Sequence, residues 1–528
     1  MHSTLPFLLA MILAVVLLEM WATKLKIAYP ILLVVAGLLV SFVPGLPQFK
    51  VDPDLIFFIF LPPLLFEASW SVSFKEMRKW WRIIGSFAFL VVFFTAFTVA
   101  VVAHHFLPGF TLALGFLLGG IVSPPDAVST GAITKFVKIP RTTSAILEGE
   151  SLLNDASSLI IFRFALLAVG TGSFVWQDAT LQFFMMVLGG VAVGLAVAWV
   201  FVQAHRRLPT NAASDIALTL IEPYFMYWLA ETLHCSGVLA VVCGGLYMSS
   251  KRLFFLSSAS RLSAFNVWES LSFILNGLVF LIIGLQLPEI VKGLRAENIP
   301  VATAINYGLL VTVVLIVARI ISAYTALVAT YIFRPSVAPR GRSVRQTLLI
   351  PMMLGWTGMR GVVSLAAALA IPITIEQTGA AFPHRNLILF ITFVVILVTL
   401  VLQGLTLPYF IRRTRLFDNF FLEESSEKMT QQMKQGLRQN GFDFLNNKYK
   451  TELEGREGVE KLLKHWEEKS KAPEDGVLSE KKKAIFFELL ESQRNYLNEL
   501  NKDPKIAEDV IRHQLYQIDL EEERMKMM

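Results

Sequence analysis

Charged residues and cysteines are both scarce in this chain. Only 17% of the 528 residues are Asp, Glu, Lys or Arg, whereas a soluble globular protein carries about 25%. The composition therefore excludes an ordinary soluble enzyme. The two cysteines, Cys235 and Cys243, lie eight residues apart in one apolar region, which argues against a disulfide or redox role and favours two small hydrophobic side chains.

Two further absences narrow the class of protein. The eight histidines are scattered without the spacing of metal ligands, and no GxxxxGK[ST] stretch is present. An ATP-driven pump is therefore disfavoured.

Apolar runs are abundant. Hydrophobic residues make up 55% of the sequence, and the mean hydropathy is +0.58. Runs of about 20 apolar residues, each long enough to cross a bilayer, recur from residue 6 to residue 411. The first run has no basic residue before it and no clear cleavage site, so we expect it to be retained as a helix. These runs predict a polytopic, all-α membrane protein.

The spacing of the apolar runs predicts thirteen membrane spans. They lie near residues 5–22, 27–46, 53–71, 82–104, 111–134, 143–169, 181–204, 213–232, 236–249, 266–286, 301–332, 347–374 and 387–411. If the N-terminus is outside, the cytoplasmic loops carry 21 Lys and Arg residues and the opposite loops carry four. Because positive loops stay in the cytoplasm, we predict an outer N-terminus and a cytoplasmic C-terminus.

The charge changes sign near the end of the last span. Residues 1–417 carry 28 Lys/Arg and 17 Asp/Glu, whereas residues 418–528 carry 19 and 24. The positive excess therefore reflects membrane orientation and not nucleic-acid binding. We predict a transmembrane domain over residues 1–415 and a cytoplasmic α-helical domain over residues 416–528, where apolar residues recur at helical spacing. This second domain is either a solvated tail or a regulatory or dimer-contacting domain.

Two spans are interrupted near their middle. The stretch SPPDAVST places Ser123, Pro124, Pro125 and Asp126 in the fifth span, where proline removes backbone donors. Non-helical backbone at this depth is tolerated only if it is buried in protein or lines a wet cavity. In the twelfth span, GWTGMRGVVSLAAALAIP, glycines flank Arg360.

Interrupted spans at matching places in two inverted halves predict the binding site of a secondary transporter. Asp126 would then offset the positive ends of the half-helices, and Arg360 the negative ends. A simple proline kink is the alternative interpretation.

The sixth span begins EGESLLNDASSLIIFRFA. Asp155 lies about 18 Å into this span at ~1.5 Å per residue, near the midplane, where a carboxylate must pair, bind a cation or be protonated. Ser151 shares its helix face, whereas Glu150 lies about 140° away and is predicted to pair with Arg360. We predict that Asp155 binds Na⁺ or a proton in turn, with Ser151 as a neutral oxygen ligand and Asn154 as a neighbour that cannot titrate.

Other intramembrane charges are weaker candidates. Glu67, in LPPLLFEASW, either lines an inner funnel or is an interfacial carboxylate. Glu222 and Glu269 are expected to be structural partners, and Arg163 is expected to be structural or interfacial. Arg319 lies in a long span with flexible boundaries.

Four segments together resemble the signature segments of one family. LPPLLFEASW, SPPDAVST, EGESLLNDASSLIIF and GWTGMRGVVSLAAALAIP are similar to those of bacterial sodium/proton antiporters of the NhaP type, within the monovalent cation:proton antiporter group. The resemblance covers residues 1–415. It implies a homodimer in the bacterial inner (plasma) membrane, whose protomers have an NhaA-like fold of thirteen helices. Each protomer would contain a dimerisation subdomain and a six-helix core with two crossed, unwound helices, and transport would be elevator-like.

The resemblance also implies roles for individual residues. The family's Asn-Asp pair falls on Asn154 and Asp155, and its coordinating serine falls on Ser151. Its core Glu–Arg ion pair falls on Glu150 and Arg360. Its crossing-helix acid falls on Asp126, and its span-3 acid falls on Glu67. An Asn-Asp pair marks the electroneutral branch, which implies one Na⁺ per H⁺. Pro125 departs from many relatives, which carry a polar side chain in this segment. The segment is therefore expected to offer backbone carbonyls instead, and the ion preference stays open.

The predicted function is electroneutral exchange of Na⁺ or Li⁺ for H⁺, not enzymatic catalysis. The alternatives are K⁺/H⁺ exchange on the same scaffold and, less favoured, a cation channel or pH sensor. We expect no cofactor beyond the transported ions, and the expected partners are monovalent cations, protons, membrane lipid and a second copy of the chain.

Overall fold

The computed structural model describes residues 4–43, 53–72, 74–126, 129, 131, 141–171, 176–333, 344–375 and 379–414, with scattered residues between 436 and 522. In these residues the regular structure is helical, and no β-strand occurs beyond an isolated bridge between Thr374 and Ala381. The all-α prediction is confirmed for this part of the chain. The chain divides into two compact units, Met1–Phe420 and Phe421–Met528; the predicted domain roles stay predictions.

Helices follow one another along the whole described part of the first unit. They are α1 (Thr4–Leu25), α2 (Tyr29–Val40), α3 (Pro53–Ser71), α4 (Phe74–Gly85), α5 (Val92–Phe106), α6 (Leu112–Val122), α7 (Arg141–Thr171), α8 (Trp176–Arg207), α9 (Ala212–Thr232), α10 (Gly237–Phe255), α11 (Ser258–Leu285), α12 (Leu287–Ala296), α13 (Val301–Phe333), α14 (Val344–Trp356), α15 (Val362–Leu369) and α16 (Arg385–Thr414). A π-helical turn, Ser86–Val91, joins α4 to α5 without a break.

Seven of the described helical segments are long and apolar enough to cross a membrane. They are Pro6–Leu25, Met77–Phe106, Thr143–Thr171, Leu181–Arg207, Ala259–Ala296, Val301–Ala329 and Arg385–Thr414. Shorter apolar helices cover Tyr29–Val40, Phe58–Ser71, Leu112–Val122 and Thr347–Trp356. The chain is therefore a multi-pass membrane protein. Each predicted span overlaps a described helix, but the amphipathic α12 and the π-helical turn were not predicted. The count of thirteen crossings and the orientation stay predictions.

Short polar side chains begin several of these helices. The side chains of Thr111, Asn211, Ser236 and Ser257 accept a hydrogen bond from the backbone N–H three residues later, at the start of α6, α9, α10 and α11. Such caps satisfy donors that the first helical turn leaves unpaired. Helix starts are therefore encoded locally, even where the helices themselves are apolar throughout.

Burial separates the helices into inner and outer ones. Most residues of α16 are buried, whereas α1 exposes Leu9, Leu13 and Leu17 along one side. Exposed apolar side chains on a membrane protein face lipid, which solvates them as well as a protein interior does. The interrupted helices described below pack against the buried α16.

Glycines allow α2 and α11 to pack backbone to backbone. A methyl group at Gly37 would lie 3.1 Å from the Cα atom of Gly284 and closer still to the carbonyl oxygen of Leu281. Small residues bring helices together in this way within membranes, where packing replaces the hydrophobic effect as the main attraction.

The second unit is described only in part. Residues 487–495 are helical, Leu490 is buried, and Arg494 forms ion pairs with Glu491 and Glu522. The predicted helical organisation of the rest of residues 416–528 lies outside the described residues and stays a prediction.

We expect Gly37→Ala to lower the stability of the folded protein, because the added methyl group overpacks the contact with α11; such changes cost about 1–3 kcal/mol. The matched control is Gly85→Ala, since nothing lies within 4 Å of a methyl group at that position. The thermal unfolding midpoint in detergent measures both. A midpoint for Gly37→Ala at or above that of Gly85→Ala would contradict this packing.

Candidate ion-binding site

The helix α6 ends in the middle of the protein. Its last residue is Val122, and residues 123–126 are not helical. Ser123 closes the last turn through bonds from its N–H and hydroxyl to the carbonyl of Gly119. Pro124 and Pro125 follow, and neither can donate a backbone hydrogen bond that would continue the helix. Both prolines are buried, so the chain leaves the helix inside the protein.

A second interruption faces the first. The helix α14 ends at Trp356, residues 357–361 are not helical, and α15 begins at Val362. The backbone N–H of Asp126 donates to the carbonyl of Met359 at 2.7 Å, which joins the two interruptions directly. Gly361 has no room for a side chain, because a Cβ atom there would collide with the Asp126 carboxylate. Asp126 therefore lies beside the N-terminus of α15, where a negative charge is favourable.

Arg360 satisfies the opposite kind of helix end. Its side chain is fully buried, and its Nε donates to the carbonyl of Val122 at 2.8 Å. The same guanidinium donates to the carbonyls of Ser123 and Gly358. These carbonyls belong to the end of α6 and to the second interruption, and they have no helical partner. Arg360 therefore stabilises the negative end of α6, and the hydroxyl of Thr399 on α16 accepts from the Arg360 N–H.

The ion pair of Glu150 differs from the predicted one. Glu150 pairs with Arg319 of α13, whose Nη2 lies 2.8 Å from the carboxylate oxygen Oε1. Both side chains are buried. Arg360 is near enough to act on Glu150 electrostatically, but its donors are directed to the backbone carbonyls of the interruptions. The pairing of Glu150 with Arg360 is thus corrected: Arg319, which has no comparable set of carbonyls, takes the carboxylate.

One face of α7 is directed at the first interruption. The hydroxyl of Ser151 donates to the carbonyl of Pro125 at 3.2 Å, and the side-chain amide of Asn154 approaches the same oxygen at 3.5 Å. Asn154 is fully buried, and its Oδ1 has no partner among the described residues. The hydroxyl of Ser151 and the side-chain amide of Asn154, the neighbour of Asp155 in α7, thus meet at the carbonyl of Pro125.

Asp155 is the exception among the buried charges of the described residues. Its side chain is 8% exposed, and no described side chain forms an ion pair or a hydrogen bond with its carboxylate. The carboxylate of Asp126 acts on it electrostatically and repels it. An isolated carboxylate is costly in such surroundings unless it binds a cation or a proton. The arrangement can therefore hold one positive charge.

Asp126 is held more tightly than Asp155. The N–H of Ser129 donates to its Oδ2 at 3.2 Å, and the hydroxyl of Ser129 donates to the same oxygen. Asp126 is thus positioned by its own segment, between the first interruption and the N-terminus of α15.

Glu67 lies with other acidic groups and not with Asp155. Its carboxylate interacts electrostatically with Glu269 of α11 and with Glu148, which is near the start of α7. Tyr29 lies within electrostatic range of both Glu67 and Asp126. The structure thus places Glu67 in a neighbouring acidic group, whereas Ser123, Asp126, Ser151, Asn154, Asp155 and Arg360 come together at the interruptions.

One buried polar cluster lies away from this site. The ring nitrogens of His205 lie 2.9 Å from Asp215 and 2.9 Å from Glu222, and the hydroxyl of Ser260 donates to Asp215. The sequence marked Glu222 as a structural partner, but nothing in it indicated His205 as its partner, because this contact depends on how α8 and α9 pack against each other. The contact of Thr399 with Arg360 was missed for the same reason. The pairing of Arg319 with Glu150 was missed as well, although an arginine within a membrane span was a signal that it has a buried partner.

Buried interruptions beside an acidic group are typical of membrane transporters of small cations. The family described as sodium/hydrogen exchanger, transmembrane, matches residues 9–413. The chain belongs to this family, and it is a transporter and not an enzyme.

Three relatives show the range of the family. An uncharacterized Na⁺/H⁺ exchanger of Mycobacterium bovis is 33% identical over 78% of this chain and 74% of its own length. A protein of Bacillus pumilus named as a sodium, potassium, lithium and rubidium/H⁺ antiporter is 32% identical over 72% of this chain and 57% of its own. The low-affinity Na⁺/H⁺ antiporter NhaS1 of Synechocystis is 32% identical over 73% of this chain and 69% of its own.

The fold is also that of a solved antiporter. The sodium proton antiporter MjNhaP1 from Methanocaldococcus jannaschii superposes with a TM-score of 0.59 at 18% identity. The superposition covers 76% of this chain and 99% of MjNhaP1. The predicted relationship to NhaP-type antiporters is therefore confirmed at the level of the fold.

We expect the Glu150–Arg319 pair to show in a double-mutant cycle. Glu150→Gln or Arg319→Gln alone leaves one buried charge uncompensated, which costs about 3–5 kcal/mol. The double variant removes both charges and should unfold at a higher temperature than the sum of the single effects predicts.

The matched cycle uses Glu150→Gln with Arg360→Gln. Because Arg360 binds backbone carbonyls, its loss should add to the loss of Glu150 with little coupling. Strong coupling of Glu150 to Arg360, together with none to Arg319, would contradict the ion pair seen in the structure.

Proposed function

We propose that this protein exchanges Na⁺ or Li⁺ for H⁺ across the membrane, with one cation carried per proton. Asp155 is the group that binds the cation and the proton in turn. Ser151, Asn154 and the carbonyl of Pro125 supply neutral oxygens next to it. Oxygen ligands suit hard monovalent cations.

The isolation of the Asp155 carboxylate is the observation that supports this proposal most strongly. The other buried charges described above have a partner: Glu150 has Arg319, Arg360 has the helix-end carbonyls, and His205 has two carboxylates. A carboxylate left without a partner in these surroundings is unfavourable when empty. Occupation by either a proton or a cation removes this cost, and the two compete for the same site.

Exchange follows if the protein changes its accessible side only when the site is neutral. A single carboxylate accepts one proton or one monovalent cation, so the charge carried is the same in both directions. Asn154 beside it cannot titrate, which keeps the exchange electroneutral. Glu67 belongs, in this proposal, to an acidic inner funnel through which the cation arrives, since it lies with Glu148 and Glu269.

The two interruptions supply the framework for alternating access. We propose that α6 and the α14–α15 pair are crossed, unwound membrane helices within a thirteen-span protomer, as in NhaP-type antiporters. Their joined breaks would move with α7 as one body, elevator-like, against a dimerisation subdomain in a homodimer. The N-terminus lies outside, and the domain of residues 416–528 lies in the cytoplasm and either regulates transport or contacts the dimer.

K⁺/H⁺ exchange is the second candidate. The Bacillus pumilus relative is named for transport of sodium, potassium, lithium and rubidium, so the same scaffold is compatible with a larger cation. Pro125 offers a carbonyl where a side chain would otherwise contact the ion, and this difference bears directly on ion size. A channel is disfavoured, because a titratable site of this kind serves exchange better than free passage.

We expect Asp155→Asn to abolish cation-dependent proton movement in proteoliposomes. The neutral amide takes up no proton, and it has no negative charge with which to bind a cation. Dequenching of a pH-sensitive dye on addition of Na⁺, Li⁺ or K⁺ measures the exchange and ranks the ions. Glu289→Gln is the matched control, since Glu289 is an exposed acid on α12, and it should keep full activity. If Asp155→Asn still exchanges, the site lies elsewhere.

The stoichiometry gives a separate test. Wild-type exchange should not respond to the membrane potential, whereas Asn154→Asp adds a second titratable carboxylate and should make the exchange respond to it. The measurement is the initial rate with the potential clamped at zero and with an imposed potential. A wild-type rate that follows the potential would exclude one-to-one exchange.

A further inference from the structure

An open groove lies between α7, α8 and the end of α9, away from the ion-binding site. Its volume is about 1080 Å³. Apolar side chains line most of it, and four polar or ionisable ones lie near the end of α9: Arg163, Gln182, Glu231 and His234. The transport mechanism proposed above uses none of them.

The apolar part of the groove follows one stripe of α8. Leu181, Phe184, Met185 and Leu188 recur at helical spacing, and each is more than half exposed. The stripe runs from the start of the α8 span toward the membrane interior. A hydrocarbon chain can therefore lie along it.

The polar part of the groove is an ion pair that is only partly enclosed. Arg163 Nη2 lies 2.6 Å from Glu231 Oε2 and 2.7 Å from Oε1, and the side chains are 37% and 30% exposed. The N–H of Gly237 also donates to Glu231. Among the described residues, only the Nη2 group of Arg163 has a bonded partner. The guanidinium has five N–H donors in all, and Arg163 is one of the residues that line the groove.

The depth of the ion pair fits the boundary between headgroups and hydrocarbon. Arg163 follows Asp155 by eight residues on α7, or about 12 Å along the helix axis. If Asp155 lies near the midplane, Arg163 lies just inside the edge of a hydrocarbon layer whose half-thickness is about 15 Å. Gln182 and His234 lie near the start of the α8 span and in the turn after α9, at the same end.

The paired charges select the kind of headgroup. An anion at Arg163 would meet the negative charge of Glu231, and a cation at Glu231 would meet the positive charge of Arg163. A zwitterion satisfies both, with its phosphate at the guanidinium and its ammonium at the carboxylate. A primary ammonium can also donate hydrogen bonds to the carboxylate, which a quaternary ammonium cannot.

We propose that this groove is a binding site for a zwitterionic phospholipid with a primary amine, phosphatidylethanolamine. Its headgroup lies on the Arg163–Glu231 pair, and one acyl chain lies along Leu181, Met185 and Leu188. The site joins α7, which carries Asp155, to α8 and α9. The bound lipid therefore contacts the transport helix and its neighbours at the same time.

The test uses the purified full chain in detergent after removal of native lipid. Phosphatidylethanolamine, phosphatidylcholine and phosphatidylglycerol are added separately, and the thermal unfolding midpoint is measured. Because a ligand stabilises the state that it binds, phosphatidylethanolamine should raise the midpoint by at least about 2 °C more than the other two lipids do. This increment should saturate with lipid concentration.

Variants of the groove show whether this preference belongs to the site. Glu231→Gln should remove the preference for phosphatidylethanolamine over phosphatidylcholine, and Arg163→Gln should weaken the response to all three lipids. Met185→Trp fills the chain groove, leaves the ion pair intact, and should also remove the increment. Arg295→Gln, an exposed arginine on α12, is the control and should respond as the wild type does.

Three results would overturn the proposal. Equal stabilisation of the wild type by all three lipids would mean that the groove holds bulk lipid without selection. A response strongest for phosphatidylglycerol and dependent on Arg163 would assign an anionic ligand instead. Retention of the full phosphatidylethanolamine increment in Met185→Trp would place the lipid elsewhere, and this variant decides the case if the charge variants fail to fold.

Discussion

Helix ends buried inside a membrane protein have backbone groups that no water can satisfy, and this constraint organises the centre of the molecule. Each interruption leaves carbonyls or N–H groups without a helical partner. Arg360 takes the carbonyls at the end of α6, and Asp126 contacts the second interruption through its backbone N–H and lies beside the start of α15. The two interruptions complete each other, so a change in one affects the other. The carbonyl of Pro125 is another non-helical group at the first interruption, and the proposed ion site uses it.

The charges around this centre follow a simple electrostatic rule. Burying a charge is costly unless a partner of opposite sign or a set of dipoles compensates it. Glu150 and Arg319 compensate each other, and the His205 imidazole is flanked by two carboxylates. Asp155 differs from them, because no described side chain forms an ion pair or a hydrogen bond with its carboxylate. In the proposed function, the compensated charges hold the fold, and Asp155 is the one that binds the transported ions.

The features that could be predicted from the sequence are those that depend on residues close together in the chain. Apolar runs identified the helices, prolines beside Asp126 marked the first interruption, and helical spacing placed Ser151 with Asp155 on one face of α7. Pairing between distant segments was not accessible, because it depends on which helices pack together. Arg360 and Arg319 are both intramembrane arginines, and only the packing of α13 against the site shows that Arg319 takes Glu150. The π-helical turn was not predicted either, and within it the carbonyl of Ala88 accepts a hydrogen bond from the hydroxyl of Ser157, which lies on the distant α7.

The π-helical turn Ser86–Val91 also has a geometric consequence. A wide turn holds one residue more than an α-helical turn, so the side chains before it face about 100° away from the directions that an unbroken α-helix of the same sequence would give them. The helix α4, with its exposed Arg78, Lys79 and Trp81, and the lipid-facing α5 are therefore oriented independently within one continuous rod. Converting the wide turn into an ordinary α-helical turn without removing a residue would rotate the basic and aromatic side of α4 by the same angle, while α5 kept its own contacts.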